Sequence, residues 1–194
     1  MRVDLPIPFE LSVPHVRWHT SWLEAAAEFA ATGEFQHGSG LTPDGEPPFR
    51  PELPAWRPAE LTDPGRFAAF IAHLRRLEDP GVVRPLALVP DTKLWLTRGE
   101  VYLGALSLRH ELNEYLFEQG GHIGYSVRPS MRRRGLATAT LQRALVLAGG
   151  LGLARVLVTC EGTNLGSAAV IERCGGVLED VRGAMRRYWI DLPR

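Results

Sequence analysis

The sequence predicts a mixed α/β fold, and three observations carry the prediction. Strand-type runs rich in β-branched and aromatic residues set in at Thr92 and continue to Val127. A helical stretch over 134–148 follows a basic, glycine-containing turn. Beyond it, 155–160 (RVLVTC) is an almost continuous apolar run, the pattern of a strand covered on both faces. With 194 residues, 45% of them hydrophobic, the chain can bury one good core, and a single domain over 1–194 is expected.

The elements follow in chain order. Residues 10–13 suit a short strand. Pro14 then sits at a helical first turn, and Val16, Leu23, Ala26, Ala27 and Ala30 give apolar spacing to a helix over 15–31, with Gly33 just past its end. Residues 38–64 are rich in Pro and Gly and read as a long surface loop. Asp63-Pro64 offers an N-cap and first-turn pair for a second helix, whose face is Phe67, Phe70, Ile71, Leu74 and Leu77; it ends before Asp79-Pro80-Gly81. Strands at 92–97 and 100–108, joined at Arg98-Gly99, form a hairpin; a loop over 109–120 leads to a third strand at 121–127, giving an antiparallel meander. After the helix over 134–148 and the strand at 155–160, a helix over 165–173 is capped by Thr163 or Asn164, and strands at 177–181 and 185–191 complete the chain.

Charge and cysteine content narrow the function. Twenty-two basic and 22 acidic residues cancel to a formal net charge of +0, so no large field calls for nucleic acid or an anionic membrane as partner. Two cysteines, Cys160 and Cys174, form no CxxC pair and no disulfide framework, which suits a reducing compartment. The opening residues 1–6 carry an early acid and a proline in place of an apolar signal core, and no run approaches the length of a membrane span. A cytoplasmic protein is expected. His15 and His19, four apart on a helix, have zinc-like spacing but no third ligand, so no metal is expected.

The chemistry concentrates at 127–138 (VRPSMRRRGLAT), where a strand end runs through arginines and a glycine into a helix. Free N–H groups at a helix start, a glycine that permits close approach and flanking arginines suit a multiply charged phosphate group. Arg132-Arg133-Arg134-Gly135-Leu136-Ala137 also meets the cofactor motif of the GCN5-related N-acetyltransferase (GNAT) superfamily, Gln or Arg, two residues, Gly, one residue, then Gly or Ala. The resemblance spans 92–192 and includes the preceding strand (HIGYSVRP, 122–129), Asn164-Leu165-Gly166-Ser167 and Gly175-Gly176. Three further segments, 108–113, 120–125 and 187–192, resemble a group of predicted acetyltransferases within it. The resemblance implies a mostly antiparallel central sheet flanked by helices, with central strands splayed to admit acyl-CoA. The N-terminal helical part (1–91) would then precede a cofactor-binding core (92–194).

By the same resemblance, the backbone of Arg132, Arg133, Arg134, Gly135, Leu136, Ala137 and Thr138 would hold the pyrophosphate of acetyl-CoA. The strand of Tyr125, Ser126 and Val127 would diverge from 155–160 to receive the pantetheine arm, with a backbone N–H near Val127 on the thioester carbonyl. Asn164 and Ser167 would contact the cofactor, although Asn164 equally suits a plain helix cap. Where many relatives place a glutamate base this chain has His122, with His110 and Glu111 as alternatives. Four residues beyond Ser167, where relatives carry a tyrosine acid, it has Ile171. Tyr125, Tyr188, Ser126 or water would then supply the proton. Cys160 has apolar neighbours and reads as a structural thiol. Acceptor contacts are expected from the first helix, the loop over 109–120, Tyr188 and Trp189. The resulting expectation is an acetyl-CoA-dependent N-acetyltransferase of a small-molecule or peptide amine, compatible with homodimerisation. A catalytically idle acyl-CoA sensor, favoured by Ile171, is the alternative.

Overall fold

In a computed structural model, residues 8–47 and 51–193 are described; the N-terminal 1–6 segment discussed above lies outside them, as does 48–50 of the loop. Strand β1 (Glu10–Ser12) precedes a 3₁₀ turn (Val16–Trp18) and helix α1 (His19–Thr32). The expected first turn of that helix is therefore 3₁₀, with His15 as its cap, and Gly33 closes α1 in the left-handed conformation. Helix α2 (Pro64–Arg76) begins as the sequence predicts, the Asp63 carboxylate accepting from the Arg66 N–H. A short helix α3 (Pro80–Val83) adds a turn not foreseen: the same Asp-Pro pair recurs at Asp79-Pro80 and starts a helix again instead of ending one.

The meander is β1, β2 (Asp91–Arg98), β3 (Val101–Arg109) and β4 (Ile123–Val127), antiparallel and in sequence order. A π-helical turn (Leu116–Gly120) sits inside the loop before β4. Helix α4 (Leu136–Gly150) leads to β5 (Arg155–Glu161), α5 (Leu165–Arg173), β6 (Val177–Arg182) and β7 (Met185–Asp191). These last three strands form a separate sheet in the order β5-β7-β6, so β4 and β5 are the facing edges of two sheets.

Each face of the meander has its own core. On one side Trp18, Trp22, Phe67 and Phe70 of the helical part pack against Trp95, Tyr102 and Ala105, all essentially buried. On the other, Leu106, Leu108, Ile123 and Val127 meet Leu136, Leu141 and Ala144 of α4, and Ile171 of α5. Truncating one of these large side chains to Ala costs about 3–5 kcal/mol, so both layers fix the sheet between them. Strand periodicity then assigns the remaining residues. Lys93 and Trp95 share a face of β2, and Ala105, Ser107 and Arg109 share the matching face of β3. Across the register, Ser126 and Gly124 lie on that α1/α2 side, while Ile123, Tyr125 and Val127 point to α4 and α5.

Candidate active site

The two sheets touch at one end and part at the other. At the closed end the His122 N–H donates to the Leu157 carbonyl (2.7 Å), and the Leu157 N–H donates to Nδ1 of the His122 ring (2.9 Å). No backbone hydrogen bond joins β4 to β5 beyond this point among the described residues. Pairing with β3 uses the even-numbered residues of β4, since Arg109 donates to the His122 carbonyl and Arg128 to that of Leu103. The backbone groups of Ile123, Tyr125 and Val127 therefore face the opening. A cavity of about 540 Å³ lies there, lined by Ile123, Gly124 and Tyr125 on one side and by Thr159, Cys160 and Glu161 on the other.

At the wide end of the opening the chain turns into α4. Gly135 takes the left-handed conformation (φ 73°) at the α4 N-cap, and Arg133 is also left-handed (φ 60°), a strained choice for a residue with a Cβ. The N–H groups of Arg133 to Thr138 find no acceptor among the described residues, so an anion placed there would meet a row of free donors. Arg132 departs from the predicted cradle. Its N–H closes a turn on Pro129, and its guanidinium donates to Glu34 (2.8 Å), just past the end of α1, and to the Val127 carbonyl (3.2 Å). Arg128 is similarly held by Glu24 and Glu28. Arg133 and Arg134 remain exposed.

The catalytic candidates separate clearly. His122 does not line the cavity: its acceptor nitrogen is occupied by Leu157, and burial followed by the charge of Arg109 lowers its pKa to about 4. With Nδ1 accepting, the neutral ring carries its proton on Nε2 and has no lone pair left for an amine proton. Its geometry is that of a clamp between the sheets. Tyr188 is fully buried and donates to Glu172 (3.1 Å), away from the cavity. Tyr125 does line it, hydrogen-bonded to Ser167 (3.3 Å), and burial pushes its pKa up to about 12, so the phenol stays protonated. Asn164 is the α5 cap, accepting from the Ser167 N–H, and both residues reach the cavity. Ser126 is buried with its hydroxyl unpartnered among the described residues. Of the alternative bases, His110 is hydrogen-bonded to Thr92 and Glu111 pairs with Arg84, and neither lines the cavity.

Cys160 lines the cavity as a thiol whose pKa burial raises, which suits a structural residue. His19 stacks on Phe67 and hydrogen-bonds the Leu61 carbonyl; no group of three potential metal ligands exists among the described residues.

The acceptor side holds what the sequence reading missed. The loop after α1, not α1 itself, covers the cavity with Phe35, His37, Gly38 and Leu41. It lies directly on β4, where a Cβ at Gly38 would collide with the Gly124 carbonyl, and Gly38 is left-handed (φ 79°). His37 lines the cavity as an exposed residue, and its ring nitrogens make no hydrogen bond among the described residues. Desolvation in the cavity holds its pKa below the ordinary histidine value, so it is neutral near pH 7. Nothing local in the sequence around Phe35-Gln36-His37-Gly38 marks this role; it depends on where the loop is laid.

Comparison with known proteins decides the family. The family model described as "Acetyltransferase (GNAT) domain" matches residues 50–177. The chain belongs to the GNAT acetyltransferases. The match begins well before residue 92, so the family likeness takes in α2 as well as β2 to β4. No curated protein sequence matches. Among solved structures, the microcin C7 self-immunity acetyltransferase MccE, in complex with acetyl-CoA and AMP, is 14% identical, with 95% of this chain and 92% of that chain covered and a TM-score of 0.61. RimL, a ribosomal L7/L12 α-N-protein acetyltransferase in complex with coenzyme A, is 16% identical over 95% and 94% at a TM-score of 0.61. RimJ of Mycobacterium smegmatis, in complex with CoA-disulfide, is 16% identical over 98% and 90%, also at 0.61. Likeness at this level of identity concerns the fold. Family membership makes the protein an acyltransferase, and among the described residues no helix is long and apolar enough to cross a membrane.

Proposed function

We propose that this GNAT protein is a single-domain, cytoplasmic N-acetyltransferase that moves the acetyl group of acetyl-CoA to a primary amine of a small molecule or peptide by direct attack in a ternary complex. The observation that carries this reading is the opening between β4 and β5, which presents unpaired strand groups to a cavity and continues into the free N–H groups before α4. An extended amide chain laid in the opening would satisfy the backbone groups of Ile123 and Tyr125 and the N–H of Val127, whose carbonyl Arg132 already occupies, as an added strand does. The donors from Arg133 to Thr138 fit a pyrophosphate. The solved relatives with acetyl-CoA or coenzyme A support the same donor, and RimL and MccE support peptide and small-molecule acceptors respectively.

Acetyl-CoA supplies the activated thioester; the chain supplies orientation and proton management. The Val127 N–H points into the opening and would stabilise negative charge developing on the thioester oxygen. His37, neutral and lining the cavity, takes the proton that the attacking amine loses as its N–C bond forms. Tyr125 stays protonated and donates to the sulfur as the C–S bond breaks, taking the place left by Ile171, which is fully buried in the core. The test is acetyl-CoA-dependent CoA release with mass spectrometric detection of the product, over amino acids, polyamines, aminoglycosides, aminoacyl antibiotics and peptides. Release that requires an amine and yields its acetylated form is expected. Tight acetyl-CoA binding with no product from any class would overturn the reading in favour of a sensor.

A further inference from the structure

The acceptor side of the cavity is built over a buried group of two cations and one carboxylate. Lys93 is 2.8 Å from Asp91 and donates to Ser107 (3.1 Å), whose hydroxyl in turn hydrogen-bonds Asp91. Arg109 Nε lies 3.9 Å from the same carboxylate, and its NH1 donates to the carbonyls of Gly120 and Gly121. The side chains of Lys93, Asp91 and Arg109 are only 7%, 12% and 20% exposed. Arg109 NH2 has no acceptor among the described residues and points to Gly124, the strand position without a side chain. One carboxylate cannot compensate two buried cations, and a buried charge without a counter-ion is costly.

Among the described residues no other acid fills the gap. Glu46 and Glu161 sit on the exposed rim of the cavity and pair with neither cation. His37 and His73, which line the same cavity, are both pulled below the ordinary histidine pKa, first by burial; for His37 the charge of Glu161 opposes this and that of Arg109 adds to it, and for His73 the charge of Lys93 adds to it. Burial, with the charge of Arg109 added to it, also pulls the Lys93 ammonium below its ordinary pKa in spite of the neighbouring Asp91 carboxylate.

The cations are not placed for the cofactor phosphates. Lys93, Ser107 and Gly124 form one cross-strand row, and Gly124 stands four residues before Arg128, where the phosphate loop begins, a distance of about 13 Å along the strand. The row also lies on the α1/α2 side of the sheet, whereas α4 packs on the other.

We infer that Lys93 and Arg109 form an anion subsite for the acceptor: the amine that is acetylated carries a carboxylate or a phosphate, and this group completes the charge of the buried cluster. The inference rests on the acetyl-transfer reading above. CoA release at saturating acetyl-CoA is measured with matched pairs, free amino acids against their carboxamides and aminoalkyl phosphates against the corresponding amino alcohols. The anionic member of at least one pair is expected to be preferred in kcat/KM by about 10- to 100-fold, the worth of a charge-assisted hydrogen bond. Which pair responds tells carboxylate from phosphate. Lys93→Gln keeps a hydrogen-bonding side chain beside Asp91 and Ser107, and is expected to raise KM for the anionic acceptor about tenfold while leaving KM for acetyl-CoA and for the neutral partner unchanged. Equal rates within every pair, or an equal loss for both members in the variant, overturns the subsite. If no amine is acetylated, the acetyl-transfer reading fails, and calorimetric titration of the same pairs into CoA-saturated protein still decides the subsite: tighter binding of an anionic member, lost in Lys93→Gln, supports it, and equal or absent binding overturns it.

Discussion

The turn proposed to hold phosphate and the cavity proposed to take the acceptor both lie along β4, yet they are made in opposite ways. Gly135 to Thr138 and the turn before them are consecutive residues whose donors are freed by one local event, the start of α4. The acceptor cavity takes His37 from a loop, Lys93 from β2, Arg109 from β3 and Tyr125 from β4, residues that only the stacked layers bring together. The loop offers backbone donors to the proposed phosphate, so on that reading it tolerates side-chain change wherever the left-handed turn survives. The cavity works through side chains held by packing, so each is individually exposed to mutation.

Substitutions can break this contrast. The largest effect is expected from His37→Ala, which removes the proton acceptor: kcat falls by about 10²- to 10⁴-fold while acetyl-CoA affinity, measured by calorimetry, is kept. A normal kcat would transfer the role to water. Gly135→Asp attacks the other region. It puts a side chain and a negative charge at the left-handed cap, and acetyl-CoA binding is expected to weaken by roughly 100-fold with little change in thermal stability. Unchanged affinity would remove the phosphate assignment.

His122→Ala tests the closed end of the opening. Loss of the Leu157 partner is expected to lower stability by about 1–3 kcal/mol, read by denaturant unfolding, without the drop in kcat that a base would show. The pH dependence carries the same point. The folded pKa of His122, about 4, lies below the unfolded value near 6.5, so the unfolded chain binds more protons between these values. Stability is full above about pH 6.5 and falls as pH drops through the window, by up to about 3 kcal/mol from this group; His73, also lowered to about 4, adds to the slope. The alanine variant is expected to show a shallower slope, and an identical profile would contradict the clamp. The smallest effect is expected from Arg132→Gln. Because that guanidinium is spent on Glu34 and Val127, acetyl-CoA affinity should change by less than about threefold and stability by about 1 kcal/mol. A large loss of affinity would return Arg132 to the phosphate cradle.

What could be read in advance follows the same division. The Asp63-Pro64 cap, the hairpin of β2 and β3, the meander and the Asn164 cap are each specified within a few residues, by a capping carboxylate, a turn glycine or period-two alternation. The recurrence of Asp-Pro at Asp79 was equally local, but a four-residue helix is too short to show apolar periodicity. His122 shows the limit from the other side. Its alternation on β4 places it on the face of Gly124 and Ser126, but not whether its nitrogen meets an amine or the Leu157 N–H.

By itself the sequence determined the order of the elements and the glycine turn that opens α4, because hydrogen bonding and apolar periodicity act over neighbouring residues. Tertiary structure alone decided that His37 lines the cavity, that Arg132 is drawn away to Glu34, and that two cations share the single carboxylate of Asp91. Those outcomes depend on burial and charge between segments tens of residues apart, and such interactions exist only once the layers have packed.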